Sequence, residues 1–454
     1  MKWCFCRDVG TDLDKPAIFR IINVKMLLLL LLTLDYKPQT LAVPPFEHTF
    51  GFYRASKYYL QLFLGPSFEY NDPQGIAAVK LKELDNPKSM RDDDELTIFA
   101  VNSGAGQIIY NVGLEAVKVY GDKKTFASPK GIAVLPEGLV AVADFDNRRI
   151  VKLQYLKGDL NWVSVIPLAG RPYGVAFDSK KNLYVTDFDR SKILVYDPAG
   201  ALTLEFGTEG RALGEVYQPL GIAVIDAEAP DNIYREDFLV IADNDGQRIS
   251  KFSRFGNFIG AQNNFDLSLT SAGFRYPAID YFGSVYVTDE VNDQIHKFDR
   301  GFNYVITEGR TGTSRGEFAA PRGISISRRF GQVFLTEKEG GQYLWIALDA
   351  FIVGCFPPAF DAKQPGTTLA FYVTDECIMS IAVHNRLGEK VRDLVDKFKR
   401  APGECLMVWD GRDNQGQLVP PGEYEFQVKV NGFHGLGRKI NKLIKGSVKC
   451  VASL

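Results

Sequence analysis

The sequence predicts an all-β protein of two domains, a set of repeated four-stranded units followed by a small β-sandwich. Three observations carry this reading. Two short landmarks recur six times between residues 73 and 343. The strands between them alternate apolar and polar side chains with the two-residue period of a pleated strand. After Phe360 the composition changes, and strands with a different spacing begin.

The first landmark reads Pro73-Gln74-Gly75-Ile76, Pro129-Lys130-Gly131-Ile132, Pro172-Tyr173-Gly174-Val175, Pro219-Leu220-Gly221-Ile222 and Pro321-Arg322-Gly323-Ile324. The copy between the last two, Pro277-Ala278-Ile279, lacks the glycine. The second landmark is a strand ending on Asn102, Asp144, Asp187, Asp243, Asp289 or Glu337. Six residues later comes Ile108, Ile150, Ile193, Ile249, Ile295 or Tyr343. Each of these follows a long polar side chain: Gln107, Arg149, Lys192, Arg248, Gln294 or Gln342. Successive copies lie roughly 42 to 58 residues apart, about the length of a four-stranded propeller blade. The combined pattern resembles the NHL repeat from about residue 73 to 350. The resemblance implies a six-bladed β-propeller, assigned here to residues 43–360.

Residues 1–42 read as a leader. Met26 to Leu34 is an apolar run too short to cross a bilayer, which takes about 20 residues. Its length suits the apolar region of a secretory signal, and Thr40-Leu41-Ala42 offers a small-residue cleavage site before Val43. The expected location is extracytoplasmic, with no transmembrane span. The aromatic stretch from Phe50 to Leu64 is expected to pair with the last blade and remove an exposed sheet edge.

Within each repeat the glycine strand should be innermost, where backbones crowd toward the axis. Gly131, Gly174, Gly221 and Gly323 are structural positions on this reading. Asp144, Asp187, Asp243 and Asp289 should accept backbone N–H groups of the turn that follows each of them. Asp187→Ala is then expected to cost about 1–3 kcal/mol through unsatisfied amides. Two insertions, Lys82 to Glu95 with its acidic run and Asp226 to Asp237, are expected as solvated rim loops able to carry binding contacts.

Beyond Asp361-Ala362-Lys363-Gln364-Pro365-Gly366, a linker by composition, strands of five to eight residues alternate with Gly, Pro and Asn turns, the pattern of a β-sandwich. The run from Val408-Trp409-Asp410-Gly411 through Pro420-Pro421-Gly422 to Tyr424 resembles the immunoglobulin-like domain of the flagellar hook-capping protein FlgD. That resemblance assigns residues 361–454 to such a domain and implies an exported bacterial protein. Cys355, Cys377, Cys405 and Cys450 fall in or beside it; they could form two disulfides, in three possible pairings, or remain thiols.

The chain has a formal net charge of −2, four His and six Cys. This balance gives no phosphate-neutralising surface, so a nucleic-acid partner is not expected. The absence of Cys-x2-Cys pairs and of His clusters leaves a zinc module without ligands. No nucleophile elbow, Walker loop or dinucleotide fingerprint occurs. No catalytic residue, metal or cofactor is therefore assigned. Arg149, Lys192 and Arg248 form the candidate binding arc, with pairing to the repeat aspartates as the alternative. The expected function is non-enzymatic binding of a protein or glycan by the propeller face and rim loops. A calcium-dependent hydrolase or lyase with its site in the channel is the alternative.

Overall fold

The computed structural model describes residues 42–43, 54–85, 96–112, 116–314, 316–361, 366–433 and 441–452. Residues 1–41 of the expected leader and the acidic run Asp92 to Glu95 lie outside these residues, whereas Ala42 is part of a strand. Six four-stranded antiparallel blades form the propeller, and a two-sheet sandwich follows. Blade 1 spans residues 73–120, blade 2 129–167, blade 3 172–206, blade 4 222–263 and blade 5 274–308. The first strands of consecutive blades contact one another in a closed cycle, blade 6 against blade 1, and so line the axis.

Close approach explains the glycines. A Cβ on Gly131 would meet the carbonyl oxygen of Tyr173 at 2.6 Å, and one on Gly174 that of Leu220 at the same distance. Gly75, Gly221 and Gly323 press on the next inner strand in the same way. Where the second strand ends in Thr-Asp or Thr-Glu, the threonine ties two blades together. Thr186 Oγ1 accepts from Gly174 N at 2.7 Å and donates to Leu220 O at 2.6 Å. Thr336 does the same between Gly323 N and Gln74 O, joining blade 6 to blade 1.

Blade 5 departs from its sequence alignment. Pro277 pairs with Val287 as Ile132 pairs with Val142, and Phe274 stands opposite Asp289 as Pro129 stands opposite Asp144. The glycine position is therefore Tyr276, whose N–H donates to Thr288 Oγ1 at 3.2 Å. Pro277 marks the next apolar position and not the start of the landmark.

Blade 6 supplies only Pro321–Ser327, Gln332–Glu337 and Gly340–Ile346 from its own segment. Arg54–Ser56 and Ala42–Val43 both pair with Gly340–Ile346, so the chain's N-terminal side completes the sheet. Among the described residues of the expected Phe50–Leu64 strand, Arg54–Ser56 do this. Lys57–Leu64 is an α-helix, capped by Ser56 and ended by Gly65 at φ 97°. It buries Leu60 with Phe68 and Ile109 while Tyr58, Leu62 and Phe63 stay exposed. The apolar content that suggested a strand is thus divided between one packed face and solvent.

The sandwich packs Ala350–Phe356, Thr367–Val373 and Gly403–Trp409 against a five-stranded sheet. Ala350–Phe356, placed in the propeller by sequence, already pairs with Thr367–Val373. Trp409 is fully buried against Phe360, Tyr424 and Phe426 and donates from Nε1 to Arg412 O at 2.9 Å. All four C-terminal cysteines are buried, and burial pushes the Cys355 thiol up to about 11.

Propeller and sandwich form one compact unit. Lys297 of blade 5 pairs with Asp375 at 2.8 Å, and neither side chain is more than 1% exposed. Tyr372 donates to Val305 O at 3.0 Å. The insertion 226–237, expected as a free rim loop, carries Tyr234 onto Glu376 and under the Lys399 ammonium, which also lies over Phe282 and Phe433. Its aromatic side chain is spent on the interdomain contact.

Candidate functional site

The register places the landmark prolines beside the repeat aspartates, so both lie at one end of the propeller. The loops that reach the sandwich, at 226–237 and Phe282, join the opposite ends of the same strands. The mouth of the channel at the aspartate end is therefore on the side away from these contacts.

The carboxylate ring is held within the blades. Asp144 accepts from Ala127 N at 2.7 Å, Asn147 Nδ2 at 2.9 Å and Arg149 Nε at 2.7 Å. Arg149 also donates to Thr125 O at 2.9 Å, and its guanidinium lies 5.4 Å from the Trp162 ring. Arg248 grips both oxygens of Asp243 at 2.8 and 2.6 Å and donates to three backbone carbonyls, those of Arg211, Ala212 and Glu215. Lys192 turns away from Asp187 to Gly207 O. Asp289 meets the fully buried His296 at 3.2 Å, and hydrogen bonds from His296 and Asn292 outweigh burial and lower its pKa. Arg149, Lys192 and Arg248 thus point into the blade framework and do not converge on one open surface. Among the described residues no group of three His, Cys, Asp or Glu side chains is placed to hold a metal.

A second charged set, not singled out in the sequence, surrounds the axis. It comes from the variable position of the first landmark, from the residue before its proline and from the residue after the repeat acid. Lys130 Nζ lies 3.2 Å from Asp72, and Gln74 Nε2 donates to Asp72 at 2.9 Å. Arg322 bridges Asp72 and Glu290, the latter at 2.8 Å, and Arg275 pairs with the other oxygen of Glu290. Lys130 and Arg322 outweigh burial and hold the Asp72 carboxyl below its ordinary range. These five charged side chains are partly exposed.

Alternate blades meet on the axis beneath this set. The Tyr173 hydroxyl of blade 3 donates to Gln74 Oε1 of blade 1 at 3.3 Å, and its ring lies 5.8 Å from that of Tyr276 in blade 5. Burial pushes both phenols up. Phe145 and Phe188 continue the aromatic side, with the Arg171 guanidinium 4.6 and 5.3 Å from their rings. At the far end Arg328 of blade 6 donates to Val224 O of blade 4 at 2.8 Å and Ile279 O of blade 5 at 3.1 Å. Side chains thus cross the axis at both ends, and the partly exposed ring of side chains at the mouth, termed the cup, is aromatic on one side and ionic on the other.

The NHL repeat family model matches residues 126–153, which carry Gly131, Asp144 and Arg149, and the FlgD Ig-like domain model matches residues 364–432. The chain carries an NHL repeat and a FlgD Ig-like domain. No curated protein sequence matches it. Similar solved structures include virginiamycin B lyase from Staphylococcus aureus, 15% identical over 55% of this chain and 76% of that one, with a TM-score of 0.39. A gluconolactonase from Xanthomonas campestris is 14% identical over 68% of this chain and 99% of that one, with a TM-score of 0.43. PorZ from Porphyromonas gingivalis is 14% identical over 78% and 58%, with a TM-score of 0.36. At these scores the likenesses carry nothing about activity. In the matched NHL segment, Asp144 and Arg149 are partners of one another, whereas Lys130 faces the cup.

Proposed function

We propose that this is a non-enzymatic, extracytoplasmic binding or scaffold protein that holds a protein or glycan ligand on the mouth face of its propeller. The observation that carries this reading is the cup itself: partly exposed ions and aromatic rings converge on the axis at the end away from the sandwich contacts. The FlgD Ig-like domain and the leader pattern support an exported protein. The ion pair of Lys297 with Asp375 favours a sandwich that presents the propeller in one fixed orientation. Arg149, Lys192 and Arg248 act from within the blades, shaping the turns around the cup.

Glycan and peptide arrays probed with the full chain and with Lys130→Ala/Phe188→Ala test this reading. The expected result is retention of a ligand by the wild type, loss by the variant and no change in the ligand's mass on incubation. Binding that ignores the variant, or conversion of the ligand, would overturn it. For the location, the natively produced protein is expected to have an intact mass that begins near Val43. A full-length mass would remove the export claim.

A further inference from the structure

Within the cup, hydrogen-bonding capacity is unevenly used. Asp72 accepts from Lys130, Arg322 and Gln74, and Glu290 accepts from Arg322 and Arg275, so the two carboxylates serve three cations. Asp245 acts on Arg275 only from the exposed rim, beyond ion-pair distance. Beneath them Tyr276 is 7% exposed; its hydroxyl makes no well-formed hydrogen bond and meets only the Tyr173 hydroxyl, which is itself turned to Gln74. The Tyr276 hydroxyl lies within the electrostatic reach of Tyr173, Arg275 and Arg322. A buried donor held in poor hydrogen-bond geometry costs free energy that a well-placed incoming acceptor would recover. The cup is therefore rich in donors and short of one negative group.

The shape narrows the ligand further. Each inner strand is the end strand of its blade, and its unpaired edge is crowded by the neighbouring inner strands, which leaves an extended peptide no room to pair there. The half-buried Phe188 ring, with the Arg171 guanidinium 5.3 Å from it, offers the remaining apolar surface opposite these ions. A sugar ring bearing a carboxylate has the matching parts: a flat C–H face, an anionic fork for guanidinium and phenol donors, and hydroxyls for Asp72 and Glu290.

We infer that the cup takes an acidic sugar, with its carboxylate among Arg275, Arg322, Lys130 and the Tyr276 hydroxyl. This rests on the binding reading above and deepens it. The test is calorimetry of the full chain with D-glucuronate, with D-glucose as the neutral counterpart and acetate as a bare anion. Glucuronate is expected to bind, and glucose and acetate to bind more weakly by about tenfold or more. Tyr276→Phe removes only a hydroxyl that makes no well-formed hydrogen bond, so it should leave the melting temperature nearly unchanged and weaken glucuronate about tenfold, the worth of one hydrogen bond to a charged acceptor. Lys130→Gln, a second variant at the rim of the cup, should weaken it as well. Equal binding of glucose, or glucuronate affinity indifferent to both variants, would overturn the acidic-sugar inference while leaving a binding propeller intact. If arrays and calorimetry show no ligand of any kind at the mouth, both readings fall.

Discussion

Blades 3 and 4 place an aspartate at the same point, and the two carboxylates are treated in different ways. Asp243 and Asp187 both have no exposed surface and both stand opposite the basic residue of their repeat. In blade 4 that residue is Arg248, whose fork spans both carboxylate oxygens and still reaches three carbonyls of the segment 211–215. In blade 3 it is Lys192, whose single ammonium goes to Gly207 O. Asp187 then keeps two backbone donors, Arg190 N at 3.1 Å and Gly170 N, while its Oδ2 has no hydrogen bond and meets only the partly exposed Arg190 guanidinium at 3.7 Å. A planar guanidinium can satisfy a carboxylate and the turn around it together, and a point charge on a flexible stem cannot. The repeat therefore conserves a geometry along the chain but not an interaction.

The largest effect is expected where the fork is removed. Arg248→Met leaves Asp243 buried without its cation and takes a donor from three carbonyls, of which Ala212 O keeps Glu215 N, and should cost about 3–5 kcal/mol. A denaturation series checks this, and a loss below about 1 kcal/mol would break the contrast between the two blades. A somewhat smaller cost, about 3 kcal/mol, is expected for Lys297→Met, which removes the cation from a pair between domains. Lys297 also shows that a lysine holds its aspartate when the partner packs directly over it, here at 2.8 Å. Because this pair joins propeller to sandwich, calorimetry of Lys297→Met should split one transition into two. A single unshifted transition would mean that the pair does not couple the domains.

Much of this architecture was legible in the sequence because blades are built from local rules. The alternating strands, the glycines pressed on a neighbouring backbone and the turn acids all repeat at fixed offsets. Sequence periodicity failed where a contact is made across blades or across domains. Pro277 imitated a landmark because nothing local says that Tyr276 can occupy a glycine position; that depends on the space Gly221 leaves beside it. The Phe50–Leu64 segment looked like a strand until Ser56 capped a helix within it. The cup was missed for the same reason. Its members occupy variable positions of six copies, and only closure of the ring brings Asp72 and Gln74 beside Glu290 and Arg322. A signal did exist: the residue between proline and glycine runs Gln, Lys, Tyr, Leu, Arg across otherwise regular landmarks.

The smallest effect is the most discriminating. Blade 1 already carries an amide at the repeat-acid position: Asn102 donates to Glu69 O at 2.7 Å and accepts from Asn71 N at 2.8 Å. Asp187→Asn keeps an acceptor for Arg190 N and removes a buried charge that Lys192 does not reach and that Arg190 meets only at 3.7 Å. At pH 7 it should change stability by less than about 1 kcal/mol, and in the favourable direction. The pH dependence follows from the sign of the shift. Burial raises the Asp187 carboxyl above its ordinary value, so the folded state favours the protonated form. That contribution is fully present below the unfolded pKa, near 3.9, and is lost as pH rises through the folded value. The melting temperature of Asp187→Asn relative to wild type should therefore climb as pH rises from about 4 toward 7. If Asp187→Asn instead lowers the melting temperature at pH 7 as far as Arg248→Met does, the Arg190 guanidinium holds Asp187 as firmly as Arg248 holds Asp243, and the difference between the two blades disappears.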